Sequence, residues 1–269
     1  MLKTEMRNEN TTHIDKMTTA EMVAAIQREN LNAVKAIDAE LEAISAAIDA
    51  IYERMQKGGR LFYVGCGTSG RLGVLDAAEC PPTYGVPKDL VIGIIAGGDG
   101  ALRSAVEGAE DSREAGIEVL SGYNLTELDS LIGISVAGGA GYVLGAFEVA
   151  KKAGALTVAL SCNEGCPIER EADIGIHPDT GAEAVTGSTR MKAGSAHKMI
   201  LNMISTAVMV KLGHVYENMM INLRPSNIKL RDRMIRIVVE ITGTDYADAE
   251  RLLEENGFVI RDAVAAFKK

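Results

Sequence analysis

Between Met22 and Met55 the apolar positions Met22, Ile26, Val34, Ile37, Leu41, Ile44, Ile48, Ile51 and Met55 recur mostly at threes and fours. That period lays a stripe along one face of a helix. Just ahead, Thr18 and Glu21 stand at capping-box spacing, a hydroxyl at the N-cap and a carboxylate three residues on. The pattern predicts one or two long amphipathic helices that begin there and end at Gly58-Gly59. Residues 1–17 show no such period and are expected to be loosely structured.

Beyond Gly59 the period changes. Short β-branched runs, Leu61–Val64, Leu90–Ile95, Ile132–Val136, Thr157–Leu160 and Ile174–Ile176, are read as each followed by Gly, Ser or Asn and then a helical pattern. Near-continuous apolar strands alternating with helices predict an α/β fold: a three-layer α/β/α domain around a parallel sheet buried on both faces. A largely apolar stretch from about Lys192 to Leu212 predicts a buried helix. After Pro225, short helices are expected at 228–240, 245–255 and 259–267, with Gly243 and Gly257 as breaks. The expected organisation is an N-terminal helical segment over residues 1–58, a core over 59–224 and a small C-terminal helical module over 225–269. No internal repeat or low-complexity segment interrupts it.

Composition narrows the picture. Of 269 residues, 47% are hydrophobic but only 4% aromatic, with no Trp, so the core must be aliphatic. With 37 acidic against 28 basic residues, a net charge of -9 disfavours a general binder of nucleic acid or anionic lipid. The four cysteines lack the paired spacing of a zinc site, since Cys162 and Cys166 have no second pair, and are expected to be reduced thiols with no metal. The first residues, MLKTEMRNENTTHID, have no apolar signal-like core, and no run approaches a membrane span, so a cytoplasmic location is expected. Glycine is in surplus, 28 residues or about 10%, against the usual ~7%.

Part of that surplus falls at Gly65-Cys66-Gly67-Thr68-Ser69-Gly70-Arg71, where the first strand ends and helical periodicity resumes at Leu72. A Gly-rich turn opening into a helix offers amides, hydroxyls and a positive dipole to an anion. A dinucleotide fingerprint fits poorly, because the second strand ends at Ile95-Ala96-Gly97-Gly98 with no acidic residue. Thr68 and Ser69 suit a terminal phosphomonoester better, the alternative being a tight turn without a ligand. Downstream, the double proline Pro81-Pro82 is expected to stop the helix and leave Glu79 at its end on the ligand-facing side of the sheet. Glu110, in Glu107-Gly108-Ala109-Glu110-Asp111-Ser112, follows the next strand and supplies a second carboxylate for acid-base work, or else a solvated charge. Gly187-Ser188-Thr189-Arg190-Met191-Lys192, at the start of the long helix, reads as a second anion site or as a surface cap. His197 is read as a structural group or a site residue, while His13, His177 and His214 have no visible partners.

With these residues in view, the chain resembles the N-acetylmuramic acid 6-phosphate etherases of the sugar isomerase (SIS) superfamily. The likeness rests on Gly67 through Pro82, Glu107 through Ser112 and Thr186 through Gly194, in order across about residues 10 to 240. It implies a SIS-type fold and a cofactor-independent lyase that splits the D-lactyl ether of its substrate during cell-wall sugar recycling. By resemblance Glu79 is proton donor and then base, and Glu110 is a second catalytic carboxylate that takes the C2 proton or assists ring opening. Gly67, Thr68, Ser69, Gly70, Arg71, Ser188, Thr189, Arg190 and Lys192 are the expected substrate-binding residues. A homodimer is implied, with the partner completing each site, the alternative being that the long N-terminal helices pack on the chain's own sheet. The resemblance also allows a non-catalytic sugar-phosphate-binding regulator or an aldose–ketose isomerase. One loop departs from the family pattern Ser-Gly-Arg-Thr-Pro-Tyr: here it is Ala137-Gly138-Gly139-Ala140-Gly141-Tyr142, without the hydroxyls or the arginine. The C-terminal module is short for the family and resembles a ubiquitin-associated three-helix bundle.

Overall fold

The structure is a computed structural model that describes residues 2–223, 225 and 227–267. By internal contacts the chain forms two compact units, one of Met1–Ala78 with Asp89–Val208 and one of Glu79–Lys88 with Met209–Lys269.

In the first unit the capping box forms as expected. The Thr18 hydroxyl caps the Glu21 amide while the Glu21 carboxylate accepts from the Thr18 amide, starting α1 (Thr19–Lys35). A short 3-10 turn separates α1 from α2 (Leu41–Met55), so the long apolar stripe is two helices. Five strands follow: β1 (Leu61–Gly65), β2 (Val91–Ile95), β3 (Ser130–Ile134), β4 (Leu156–Leu160) and β5 (Ile174–Ile176), parallel and ordered β2-β1-β3-β4-β5. Gly65 of β1 is in register with Ile134 of β3, so the chain leaves these two neighbours at the same level. β3 ends two residues earlier than the apolar run predicts, which releases Ser135 and Val136 into the following loop.

The strands are buried on both faces because helices cover both. Phe62, Val64 and Leu131 pack with Val143, Ala146 and Phe147 of α5 (Gly141–Lys152), alongside Leu120 of α4 (Arg113–Ser121). Full burial of such side chains contributes roughly 1.5–3 kcal/mol each. On the other face, Tyr63 meets α3 (Gly67–Tyr84), where its hydroxyl donates to Asp76 at 2.9 Å. Asn202 and Ser205 of α7 (Lys192–Lys211) donate to the same carboxylate at 2.6 and 3.1 Å, so a buried Asp76 ties α3 to both the sheet and α7. The short α6 (Pro167–Glu171) links β4 to β5.

Two expectations are corrected. Pro81 and Pro82 lie inside α3, which runs on to Tyr84. Their fixed φ is already helical, and although two donors are lost the ladder re-forms beyond them, with the Gly85 amide bonding the Pro81 carbonyl at 2.9 Å. The N-terminal segment, expected to be loose, is anchored as a series of 3-10 turns with Thr4, Asn8 and Thr11 buried.

The second unit contains α8 (Ile228–Thr242), α9 (Tyr246–Glu255) and α10 (Ile260–Phe267), close to the predicted boundaries. Met234, Val238, Leu253, Ile260 and Ala263 form its core. Gly243 ends α8 in the left-handed conformation, φ 73°, and its amide caps the Val239 carbonyl. The pattern did not predict the antiparallel pair β6 (Val215–Tyr216) and β7 (Met219–Met220), because two residues per strand are too few to show alternation.

Candidate active site

α3 begins at Gly67, directly where β1 ends, so the Gly-Thr-Ser segment is the helix's first turn and not a loop ahead of it. The Gly70 amide is already bonded to Cys66 O at 3.2 Å, which leaves the amides of Gly67, Thr68 and Ser69, ahead of it in the first turn, as the donors with no partner within the helix. Glycine is required at Gly70, where a Cβ would stand 2.5 Å from Gly65 O.

A cleft opens here in two adjoining halves. One, of about 310 Å³, is lined by Arg71, Ala101, Val106 and residues 107–111, including Glu110. The other, of about 270 Å³, is lined by Glu5, Thr68, Ser69, Glu110, Ser135, Ala137, Ala140 and Thr189. Cys66, Gly67 and Glu110 belong to both. Glu110 therefore stands at the junction of the two halves, and the Tyr142 amide holds its carbonyl at 2.9 Å. The Cys66 thiol is pushed up to about 12 by burial and by the nearby Glu110 and Asp111 charges, so it remains a neutral thiol. Arg71 donates to Ala101 O at 2.7 Å and Leu102 O at 3.1 Å, and in doing so holds the wall of the first half.

The expected second anion site at the start of α7 is already filled. A fully buried Glu183 accepts from the amides of Lys192 and Ala193 at 3.1 and 3.0 Å, placing a carboxylate where a phosphate was expected. Lys192 does not face the cleft. It is 2% exposed, with its ammonium on Glu29 and Ala182 O, both at 2.6 Å. Burial would raise the Glu29 carboxyl, but hydrogen bonds from Lys192, Asn10 and Asn8 hold it below its ordinary range. Of Ser188, Thr189, Arg190 and Lys192, Thr189 alone lines the cleft.

Glu79 lies twelve residues beyond Gly67 on α3, about 18 Å along the helix at 1.5 Å per residue. It is exposed, belongs to the second compact unit and is not among the residues lining the cleft. Sequence reasoning missed Ser135 and Glu5. The apolar run Ile132–Val136 places Ser135 in the strand, and Glu5 belongs to the segment expected to be loose.

His197 is fully buried behind this region. Its Nε2–H donates to Ser161 O at 3.1 Å, with Cys162 Sγ 3.4 Å away, and burial pushes its pKa down to about 4. It is a neutral structural group. All four cysteines are free, and no group of three or more metal-binding side chains is found among the described residues. Nor is any described helix long and apolar enough to cross a membrane.

The sheet order, the flanking helices and a cleft at the carboxyl ends of β1 and β3 define a SIS-type domain. Residues 43–151 match the glucokinase regulatory protein N-terminal SIS domain. The fold superposes on phosphoheptose isomerase from Neisseria gonorrhoeae with a TM-score of 0.52 at 18% identity, over 71% of this chain and 98% of that one. Over 263 residues the chain is 52% identical to the N-acetylmuramic acid 6-phosphate etherase of Caldanaerobacter subterraneus subsp. tengcongensis, spanning 98% of this chain and 86% of that protein. It is 49% identical to the etherase of the same name from Salmonella agona, over 98% and 89%. The chain belongs to the N-acetylmuramic acid 6-phosphate etherase family.

Proposed function

We propose that the chain is a carbon–oxygen lyase that converts N-acetylmuramic acid 6-phosphate and water into N-acetylglucosamine 6-phosphate and D-lactate, acting in the cytoplasm in the recycling of cell-wall amino sugars. The observation that carries this reading is the cleft in which Glu110 meets the Thr68, Ser69, Ser135 and Thr189 hydroxyls and the open amides of α3, in a chain of this family. The hydroxyls and amides suit a phosphomonoester, and Glu110 stands beside it as a base.

In the open-chain sugar the C1 aldehyde acidifies the C2 proton. Glu110 takes that proton, the electron pair forms the C2=C3 bond, and the C3–O bond to the lactyl group breaks while Glu79 protonates the departing oxygen. Glu79, now a carboxylate, takes a proton from water as it adds at C3, and Glu110 returns its proton to C2. Both carboxylates end as they began.

Glu79 is supplied by a second copy in a homodimer. Its exposed position on α3 supports this, as do the large apolar side chains of Leu75, one turn earlier, and of Val23, Leu31 and Val34 on α1, which are exposed. The test is D-lactate release from N-acetylmuramic acid 6-phosphate. Glu79→Gln and Glu110→Gln should each lower the rate roughly 10²- to 10⁴-fold, while Glu118→Gln on the exposed face of α4 leaves it unchanged. Mixing and re-equilibrating the two inactive variants should restore about a quarter of wild-type activity, because half the dimers then carry one intact site of two. No recovery would place both carboxylates of a site on one chain. The loop Ala137–Gly141, which lacks the family's hydroxyls, favours a second reading, a sugar-phosphate-binding regulator; binding without lactate release would select it.

A further inference from the structure

The N-terminal segment is a strap pinned along its length. Asn163 Nδ2 donates to the Thr4 hydroxyl at 3.1 Å, and Lys3 pairs with Asp179. Asn8 Nδ2 donates to Glu29 at 2.7 Å and to Ala182 O at 2.9 Å, and the Thr11 hydroxyl donates to Ala184 O at 2.8 Å. Glu5 stands between the fully buried Thr4 and the buried Asn8, exposed itself, and lines the hydroxyl-rich half of the cleft together with Ser69 and Ser135. Its Oε2 lies beside the Gly187–Thr189 turn, 3.5 Å from where a Cβ on Gly187 would be. No hydrogen bond or ion pair among the described residues engages this carboxylate, although the residues around it on the strap are anchored.

A carboxylate repels phosphate and accepts from neutral donors. This half of the cleft already has donors suited to an anion at the start of α3, so Glu5, carried by the strap, adds an acceptor from a separate segment of the chain. We propose that Glu5 is a sugar-binding residue, accepting hydrogen bonds from the hydroxyl or acetamido N–H groups of the sugar while the phosphate lies at the α3 terminus. This rests on the cleft being a sugar-phosphate site. It assigns the strap a part in selecting a sugar phosphate over phosphate alone.

The test is calorimetric titration of the full chain with N-acetylglucosamine 6-phosphate and, separately, with inorganic phosphate. Glu5→Ala should weaken sugar-phosphate binding roughly tenfold or more, since a hydrogen bond to a charged group is lost. Glu5→Gln, which keeps one acceptor, should fall between Ala and wild type. Inorganic phosphate should bind both variants as well as wild type or better. Because Glu5 is exposed and unbonded, both variants should melt with wild type, as should Glu9→Gln, a strap control that binds both ligands normally. Equal sugar-phosphate affinity in wild type and both variants, or a parallel loss of phosphate affinity, overturns the role of Glu5 and leaves the site reading standing. A wild-type chain that binds no sugar phosphate overturns both.

Discussion

Two glycine-rich segments leave the sheet side by side, after β1 and after β3, and they do different work. Gly65–Arg71 presents side chains: its glycines let α3 approach the sheet closely, and Thr68 and Ser69 remain free to meet a ligand. Ala137–Gly141 has no hydroxyl and is fixed by its backbone. The Gly138 amide donates to Ser135 Oγ at 3.1 Å and its carbonyl accepts from Ile168 at 3.0 Å, and a φ of 79° with Cys166 Sγ only 2.2 Å from a would-be Cβ admits nothing but glycine. Gly141 and Gly145 lie against the carbonyls of Asp111 and Arg113, where a Cβ would stand at 2.4 and 2.0 Å. The second segment thus grips the chain that carries Glu110. In the proposed function the first segment binds and the second positions, and glycine content alone does not distinguish them.

The sharpest way to break this comparison is Gly141→Ala. Backbone must shift to clear Asp111 O, so a loss of about 3 kcal/mol in denaturant unfolding is expected. Because Glu110 moves with that backbone, D-lactate release should fall by about 10²-fold. Unchanged activity would show that the second segment does not position Glu110.

The next test concerns His197, whose partner Ser161 precedes Cys162, and the Cys162 amide bonds Val136 O at the exit of β3. Its folded-state pKa, about 4, lies below the ordinary 6.5. Between these values the unfolded chain binds the extra proton, so the stabilisation is complete above pH 6.5 and is lost as pH falls toward 4. The full difference is on the order of 3 kcal/mol. His197→Gln should flatten this part of the stability–pH curve, measured by urea unfolding from pH 7 to 4; an unchanged curve would assign the dependence to other groups.

In the binding segment, Ser69→Ala or Thr68→Ala should raise KM roughly tenfold, with kcat and melting temperature little changed, as expected for losing one hydrogen bond to a charged group of about 1.5 kcal/mol. A loss confined to kcat would make this segment a positioning device too. The smallest effect is expected at Gly139, exposed and with nothing within 4 Å of a would-be Cβ. Gly139→Ser should alter stability by less than about 0.5 kcal/mol, which a melting curve will show.

What the sequence disclosed was local. The capping box at Thr18, the aliphatic strands and the C-terminal helices follow from spacing within a few residues, as does the placement of Thr68 and Ser69 at the exit of β1. The strap was illegible because it is held by side-chain bonds that span long sequence separations, such as Asn163 to Thr4, with no period to reveal them. Lys192 misled for the same reason: its partner Glu29 is remote, and nothing beside Glu183 marks that carboxylate as the cap of α7. The end of α3 is not legible at Glu79 because a proline pair reads as a stop, whereas a helix already formed can carry both residues.

The carboxylate of Glu183 on the first amides of α7 bears on how a ligand is oriented. The proposed substrate has an anion at each end, phosphate and lactyl carboxylate. At α7 the positive terminus is neutralised from within by Glu183, whereas at α3 the first amides line the cleft. For the proposed substrate that difference favours a negative end at α3 over one at α7, and so biases the direction in which it lies before any catalytic group acts.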